Sequence, residues 1–401
     1  MFSRKVLLLI LTAIMCSNCY THAQAQVNTT SLPPLVYKVA VFAPLYLDSV
    51  FTNSKLKSEK AIPRFILPSL DFVQGAQIAL DSLELSGHRV EAFIYDTKSV
   101  NQSITWLSQH KVLDSVNLII GNVKELDFKQ LADFALRKNI PFISATYPND
   151  GGVTSNPFLT IVNSTLKAHV EAIHSYILEN HGTEKIFLCR KRGSQEDKIA
   201  YYFKELNEQE GKPLLSMQTL YFDSSVSPSY FKNKIDSLHP AVIIGASLDE
   251  DFARQLSDAV FVVSKKHYPV TLIGMPNWDG FHIFSRKDSY KGLPVHFTTP
   301  YYNSKSDQYF NFLGTEYMRR FKSKPTDMAC KGFEIVQYFT KVLMQYPLDV
   351  MSHLNEKKYQ VFSEYNFRPV FTKQKNGIPD YFENKHLYVM KIMNGSISRE
   401  W

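Results

Sequence analysis

The segment that decides the fold reads Leu118-Ile119-Ile120-Gly121-Asn122-Val123-Lys124-Glu125-Leu126 and closes, after a helical stretch, with Ile140-Pro141-Phe142-Ile143-Ser144-Ala145-Thr146-Tyr147. Its two short apolar runs, 118–120 and 141–145, are typical of buried parallel strands. Between the runs, apolar residues recur at helical spacing: Leu126, Phe128, Leu131, Phe134, Ala135 and Leu136. This strand-helix-strand unit predicts an α/β fold. Ligands of such sheets bind outside the carboxyl ends of the strands, so the loops 121–125 and 144–150 are the first candidate site.

The same alternation of strands and helices continues on both sides of this unit. Before it we predict strands 36–44 and 90–95 and helices 70–83 and 104–113. After it we predict strands 158–162, 185–189, 217–221, 241–245 and 270–275, with helices 166–178, 197–207, 230–238 and 251–263 between them. Two α/β lobes follow from this pattern, each a parallel sheet flanked by helices.

Three stretches do not follow the alternation. The segment 48–69 has no clear period and predicts a long exposed loop. The segment 147–157 is rich in turn formers and predicts the crossing between lobes. Near the end, 367–371, a turn at Lys375-Asn376-Gly377 and 387–392 predict an antiparallel pair. Several connections between the lobes would make a hinge.

The N-terminal residues have the features of a secretory signal peptide, which we place at residues 1–25. Arg4 and Lys5 precede the apolar run 6–15, and Ala23-Gln24-Ala25 is a small-x-small cleavage site. A periplasmic or secreted protein is therefore expected. A lipid anchor is the less favoured alternative, because neither Cys16 nor Cys19 follows a small residue.

The composition argues against several classes of protein. The formal net charge of +7 would fall to +5 on loss of Arg4 and Lys5, and no basic run interleaves with aromatic residues, so no nucleic-acid partner is predicted. No later apolar run is long enough to span a membrane. In the chain after the signal peptide we find no catalytic, phosphate-binding or metal-binding motif, and we predict no enzyme, cofactor or metal. His169 and His174 lie five residues apart on a helix and are interpreted as surface or packing residues.

Several motifs, in order and spacing, resemble those of the type I periplasmic binding proteins, the branch that includes leucine/isoleucine/valine-binding proteins and receptor ligand-binding regions. They are Phe72-Val73-Gln74-Gly75-Ala76-Gln77-Ile78-Ala79, Tyr95-Asp96-Thr97, Val116 to Gly121, Ile140 to Ser144, Gly274 and Pro325 to Glu334. The resemblance covers residues 36 to 395. It implies two lobes that close over a small solute and deliver it to a membrane permease or signal its presence.

The resemblance also implies where the two lobes begin and end in the sequence. Lobe one would hold residues 35–150 and 276–345, and lobe two would hold 151–275 and 346–401. Cys189 and Cys330 would then lie in different lobes as free, packed thiols, and we expect a monomer. The sequence departs from the family pattern where a hydroxyl normally follows the third strand, because Lys124 and Glu125 stand there. Gly332-Phe333-Glu334 replaces the family's Gly-Tyr-Asp, whereas Ser144-Ala145-Thr146 keeps the second hydroxyl loop.

The candidate ligand-binding residues of lobe one lie at strand ends. Hydroxyls and backbone amides there can orient a small polar ligand, although the same side chains can simply cap their own loops. Lys124 and Glu125 fit either an anion contact or a solvated helix start. The residues are Tyr46, Asn122, Lys124, Glu125, Ser144, Ala145, Thr146, Tyr147 and Tyr301.

Lobe two contributes cations, an acidic loop and a tryptophan. Arg190 and Lys191 could hold a carboxylate or phosphate, or form a solvated face. Ser247 and Asp249 are either the matching acidic loop or a helix start. Trp278, within Asn277-Trp278-Asp279, offers either a flat surface in the cleft or a packing residue of the hinge.

Three functional hypotheses remain open on this sequence. The first is a solute-binding protein that captures a small polar ligand, an amino acid or similar, for a membrane permease or sensor. The second is an interaction or sensor module of the cell envelope that keeps the fold with a degenerate cleft. The third is a hydrolase that uses the acidic residues at the strand ends.

Overall fold

Two seven-stranded sheets form the core of the protein, as seen in a computed structural model that describes residues 36–401 except 54, 58–60, 88, 224, 233, 236–237, 266–268 and 372–376. The strands are β1 Tyr37–Ala43, β2 Phe51–Thr52, β3 Lys55–Leu56, β4 Val90–Asp96, β5 Leu118–Gly121, β6 Phe142–Ser144, β7 Leu159–Ile161, β8 Lys185–Arg190, β9 Glu208–Gln209, β10 Lys212–Pro213, β11 Met217–Tyr221, β12 Ala241–Gly245, β13 Val270–Ile273, β14 Val295–Thr299, β15 Phe367–Val370, β16 Tyr381–Asn384, β17 Tyr388–Met393 and β18 Ser396–Arg399.

Helices cover the faces of these sheets. They are α1 Leu47–Val50, α2 Leu67–Leu85, α3 Ile104–Gln109, α4 Glu125–Lys138, α5 Leu166–Asn180, α6 Ser194–Asn207, α7 Ser229–Lys232, α8 Glu250–Ser264, α9 His282–Ser285, α10 Gln308–Phe321 and α11 Asp327–Gln345. Short 3-10 turns lie at Arg64–Ile66, Pro276–Gly280, Val350–His353 and Lys357–Tyr359.

The first sheet runs β15-β16-β7-β6-β5-β1-β4 and is parallel except for the β15/β16 pair. The second runs β11-β8-β12-β13-β14-β17-β18, with β17 and β18 antiparallel to their neighbours. We call the bodies built on these sheets lobe one and lobe two. Central strands such as β5 and β12 are buried throughout, as their continuous apolar runs predict. The predicted two-lobe α/β fold is confirmed.

Local sequence signals explain several helix boundaries. Helix α2 has Pro68 in its first turn and is followed by Gly87 at a φ of +84°, which suits a residue without Cβ. Asp249 caps α8 by accepting the amide of Phe252 at 2.8 Å, and Asp307 caps α10 through Phe310 at 2.8 Å. The two caps fix where α8 and α10 begin and therefore where the loops before them end.

Strand pairing places four strands differently from the predicted lobe boundaries. Strand β7 pairs with β6, and β15 and β16 extend the same sheet, so all three belong to lobe one, whereas β14 pairs with β13 in lobe two. The turn-rich segment 147–157 does not cross between lobes. Its amides are satisfied locally, for example Gly151 by the Asn149 side chain at 2.8 Å, and it returns the chain to the same sheet.

Other local predictions also need correction. The segments 367–371 and 387–392 do not pair with each other. Strand β15 pairs with β16, and β17 pairs with β14 and β18. The segment 48–69 is not an unstructured loop, because it contains most of α1, a small hairpin and the start of α2. Helix α7 covers only the first residues of the predicted helix 230–238. The signal peptide, Cys16, Cys19 and the turn at Lys375-Asn376 lie outside the described residues.

Cys189 and Cys330 are free and buried, in β8 of lobe two and α11 of lobe one. This confirms the expectation of packed thiols, and burial raises the pKa of Cys330 to about 12.

His169 and His174 are also buried. His169 Nδ1 lies 2.8 Å from Thr298 Oγ1, and burial lowers the pKa of His169 to about 3, which fits the packing interpretation. No helix of the described residues has the length and hydropathy of a membrane span.

Candidate functional site

A single carboxylate organises the strand ends of lobe one. Asp96, at the end of β4, accepts the amides of Leu45 at 2.9 Å, Tyr46 at 3.1 Å, Leu47 at 2.7 Å and Lys98 at 2.9 Å. These bonds hold Tyr46 at a φ of 54°, with its ring edge-on to Phe65 at 5.2 Å. The Tyr95-Asp96-Thr97 motif is therefore an anchor for the loop that begins at Leu45.

Replacement of Asp96 by alanine is expected to lower the free energy of unfolding by about 2 to 3 kcal/mol, because four charge-assisted hydrogen bonds are lost from a half-buried site. Urea unfolding followed by circular dichroism measures the change. Asp133, exposed on α4, is the matched control, and Asp133→Ala should cost less than about 0.5 kcal/mol. Equal effects of the two substitutions would contradict the anchoring role.

The neighbouring strand ends are joined by a chain of polar side chains. Thr146 Oγ1 donates to Asn122 Oδ1 at 2.6 Å, and the Asn122 amide donates to Ser69 Oγ at 3.5 Å. Asn163 donates to the Thr146 carbonyl at 2.7 Å. Ser144 is fully buried, and its hydroxyl has no hydrogen-bond partner among the described residues. The structure thus brings Asn122, Ser144 and Thr146 together, as their places after adjacent strands predicted.

Tyr301 reaches this cluster from the segment that follows β14. Its hydroxyl donates to the carbonyl of Ala145, and burial raises the pKa of Tyr301 well above its ordinary value. The ammonium of Lys331, on α11, lies 4.2 Å from the centre of the Tyr301 ring. Tyr301 therefore contacts both Ala145, a predicted site residue, and Lys331, which was not among the predicted site residues.

Lys331 lies within the electrostatic reach of carboxylates from both lobes. Burial lowers the pKa of Lys331, and this effect is opposed by Asp327 and Glu334 on its own helix and by Asp279 from lobe two. Partial desolvation raises the pKa of Asp279, against the attraction of Lys331, although the residue as a whole is exposed. Among the described residues, no carboxylate lies within ion-pair distance of the Lys331 ammonium. The only sequence signal for Lys331 was its place directly before Gly332-Phe333-Glu334.

Other predicted residues of lobe one lie at the edge of this cluster. Lys124 and Glu125 are exposed at the start of α4, the position of a solvated helix terminus. The ring of Tyr147 packs on Phe128 with their centres 5.2 Å apart. These three side chains are the least connected to the cluster around Thr146.

The cations predicted at the end of β8 are paired within lobe two. Arg190 is buried and donates to Asp197, and the Lys191 ammonium lies 2.9 Å from Asp249. The helix-capping hydrogen bond from Phe252, and then Lys191, lower the pKa of Asp249. The guanidinium of Arg190 is therefore paired within lobe two, so Arg190 is neither the solvated residue nor the unpaired anion-binding residue that the sequence left as alternatives.

Trp278 is a packing residue, and the prediction that it lines the cleft is wrong. It is fully buried. Its indole fills the space that side chains at Gly245 and Gly274 would need, because a Cβ atom on these residues would lie only 2.3 Å and 2.1 Å from the ring. The indole stacks on Phe284 at 5.6 Å, and its Nε1 donates to the carbonyl of Ser247 at 3.0 Å. The two strand-end glycines therefore make room for the indole.

The remaining predicted residues of lobe two surround this tryptophan. Ser247 is buried and donates to Glu196 at 2.6 Å, and Asn277 donates to the carbonyl of Leu248 at 2.8 Å. The Asn277 side-chain oxygen is buried without a partner among the described residues. Asp279 follows the tryptophan directly in the same 3-10 turn. Asp279 is therefore attached to a residue that is fixed in the core of lobe two.

Comparison with known protein families identifies the architecture. A family model described as "Periplasmic binding protein" matches residues 68–380. The chain belongs to the periplasmic binding protein family. A comparison with curated protein sequences produced no match.

Solved structures of similar fold share little sequence with this periplasmic binding protein. A putative branched-chain amino acid ABC transporter protein from Rhodospirillum rubrum is 11% identical, with a TM-score of 0.64 and coverage of 92% of this chain and 100% of that one. An ABC transporter substrate-binding protein from Desulfitobacterium hafniense, in complex with Leu, is 13% identical, with a TM-score of 0.54 and coverage of 91% and 100%. LivJ from Streptococcus pneumoniae, in complex with isoleucine, is 14% identical, with a TM-score of 0.52 and coverage of 91% and 99%. At these identities the likeness concerns the fold.

The lobes of this periplasmic binding protein are joined by three segments, 162–165, 300–307 and 385–387. Within them Ser164 donates to the carbonyl of Asn384 at 2.6 Å, and the amide of Thr165 donates to Glu383 at 2.7 Å. Tyr301 packs against the core of lobe one, whereas its neighbour Tyr302 packs against that of lobe two. Adjacent side chains of one connection are therefore held by different lobes.

A buried carboxylate lies beside these connections. Glu334, on α11, accepts the amide of Ser363 at 2.5 Å and that of Phe362 at 3.2 Å. Ser363 Oγ in turn accepts the amide of Tyr302 at 3.1 Å. Burial raises the pKa of Glu334 to about 7, although these hydrogen bonds oppose the rise. In this chain Glu334 of the Gly332-Phe333-Glu334 motif thus ties a helix of lobe one to a connection between lobes.

Proposed function

We propose that this periplasmic binding protein is a non-enzymatic receptor that binds a small polar solute between its lobes, at the strand ends that carry Thr146 and Tyr301 in lobe one and Asp279 in lobe two. Family membership supports solute binding and a periplasmic location. Delivery to a membrane permease or sensor follows from the same membership and from the ABC transporter proteins of similar fold.

The observation that carries the proposal is the position of Lys331. Its ammonium is half-buried against the Tyr301 ring and has no carboxylate at ion-pair distance among the described residues. It lies within the electrostatic reach of Asp279 of the opposite lobe. A cation that is partly removed from water gains most from a hydrogen-bonded anion. A ligand carboxylate would supply that anion, and a ligand ammonium could approach Asp279 as the lobes close.

An α-amino acid carries both groups at a short separation, so we propose an amino acid or a close analogue as the ligand. The leucine and isoleucine complexes of proteins with this fold support this ligand class. Thr146 and Asn122 add hydrogen-bonding groups beside the Tyr301 hydroxyl. The carbonyl of Ala145, occupied by Tyr301 in this structure, is a further acceptor if the ring moves.

A panel of amino acids, sugars and anions tests this proposal by thermal unfolding. A ligand that binds only the folded chain raises its stability by about 2.7 kcal/mol at 100 times Kd. We expect at least one amino acid to raise the melting temperature, and its N-acetyl and amide derivatives to do so less. No shift with any solute, together with recovery of a protein partner by pull-down, would instead favour the interaction module.

Lys331→Met is expected to weaken binding of that amino acid about tenfold or more, because a charge-assisted contact to the carboxylate is lost. The unliganded variant should unfold at the same or a higher temperature than the wild type, since a partly buried cation is removed. Lys291→Met, at an exposed position, is the matched control. Equal affinity of the two variants, measured by calorimetric titration, would overturn the role of Lys331.

A further inference from the structure

A cavity of about 560 Å³ lies apart from the strand-end cluster. Its walls are helix α5, the connection 385–387 between the lobes and the chain after Ser398. Its volume is in the range of small-molecule sites. None of the residues assigned above to solute binding lines it, so its ligand would be additional to the one proposed for the cleft.

The charges on the cavity wall leave one cation unpaired. Lys385 is paired with Glu171 at 2.9 Å and with Glu383 at 2.6 Å, and Glu400 is paired with Lys391 at 2.5 Å. Arg399 has no carboxylate at ion-pair distance among the described residues. Its guanidinium is held over aromatic rings instead, 4.8 Å from the centre of Tyr388 and 5.8 Å from that of Tyr302.

The rest of the wall combines apolar and polar groups. Ala168, Ala172 and Leu387 contribute small or aliphatic surface, and Ser175 and His386 contribute polar side chains. The indole of Trp401 is 38% exposed and lies 6.0 Å from the ring of Tyr176. A guanidinium stacked on rings keeps its N-H groups available in one plane, which suits a carboxylate. The exposed indole suits a flat apolar group.

We propose that this cavity binds a small carboxylate that carries a planar apolar group. Arg399 donates hydrogen bonds to the carboxylate, and Trp401 packs against the planar group. Because one wall is the connection 385–387, the bound molecule contacts a segment that joins the lobes. This position gives the site a physical route to influence the hinge.

Titration of the full chain with phenylacetate tests the proposal, with binding followed by ligand-observed NMR and by melting temperature. Phenethylamine, which has the same ring and the opposite charge, is the probe control. We expect phenylacetate to bind at least tenfold more tightly than phenethylamine. Ala172→Trp, which fills the cavity, should abolish binding.

Arg399→Gln is expected to weaken phenylacetate binding about tenfold or more, whereas Arg254→Gln, at an exposed arginine of α8, should leave it unchanged. Absence of phenylacetate binding, or equal binding by these two variants, would overturn the proposal. Binding that is lost in Lys331→Met and kept in Arg399→Gln would place the probe in the cleft and would also overturn it. Failure of this site leaves the amino acid panel and its Lys331→Met comparison unaffected.

Discussion

Gly332→Ala is expected to destabilise the protein by at least about 3 kcal/mol, or to prevent folding. A Cβ atom on Gly332 would lie 2.0 Å from the carbonyl oxygen of Phe72, and that oxygen belongs to the backbone of α2. A backbone atom inside a helix cannot move away as a flexible side chain can. The methyl group therefore forces α2 and α11 apart. The close packing between these two helices of lobe one is then lost.

The contact is reciprocal, since a Cβ atom on Gly75 of α2 would lie 1.9 Å from the carbonyl oxygen of Ala329 on α11. Gly314→Ala is the matched control, because Gly314 lies within helix α10 and nothing would approach its Cβ within 4 Å. That substitution should stabilise the protein by about 0.5 to 1 kcal/mol through helix propensity. Urea unfolding of the wild type and of both variants measures the two changes. Stabilities of Gly332→Ala and Gly314→Ala within about 1 kcal/mol of each other would refute this account of the helix contact.

Glu334→Gln is expected to remove a pH dependence of stability that amounts to about 3 kcal/mol in the wild type. The pKa of Glu334 is raised from its ordinary 4.5 to about 7 in the folded chain. Between these pH values the folded chain holds a proton that the unfolded chain has released. The stabilisation is therefore fully present below about pH 4.5 and is lost as the pH rises through about 7.

Glutamine suits this test because its side-chain oxygen can still accept the amides of Phe362 and Ser363. The free energy of unfolding of both proteins should be measured by urea unfolding from pH 4 to pH 8, and the difference between them should change by about 3 kcal/mol across this range. Glu84→Gln, at an exposed residue near the end of α2, controls for the loss of a carboxylate. A constant difference between Glu334→Gln and the wild type would show that folding does not raise the pKa of Glu334.

Most secondary structure was predictable because central strands and long helices carry strong patterns. The central strand β12 matches its predicted bounds, and α8 differs by one residue at each end. Short strands at or next to the sheet edges carry weaker patterns, although the edge strand β11 also matches its predicted bounds. Strands β16 and β18 were missed, and β15 was assigned the wrong partner, because pairing depends on contacts that are distant along the chain.

Some features of the candidate site were also predictable from the sequence, and others were not. Placement after adjacent parallel strands correctly brought Asn122 and Thr146 together, because the carboxyl ends of parallel strands share one edge. Trp278 is a packing residue because Gly245, at the end of β12, and Gly274, directly after β13, leave space for its indole. That space exists only in the folded lobe. The sequence likewise did not show that Arg190 is paired, because its partner Asp197 is brought beside it by the folding of helix α6.

The sequence by itself determined the fold class, the family resemblance and the strand ends that carry polar groups. These follow from periodicity and from residues close together in the chain. Only the tertiary structure decided which strands join each lobe, which charges pair internally and that Lys331 lies within the electrostatic reach of Asp279. Those outcomes depend on distances between residues far apart in sequence, and no local pattern encodes whether a charged side chain finds a partner or remains available.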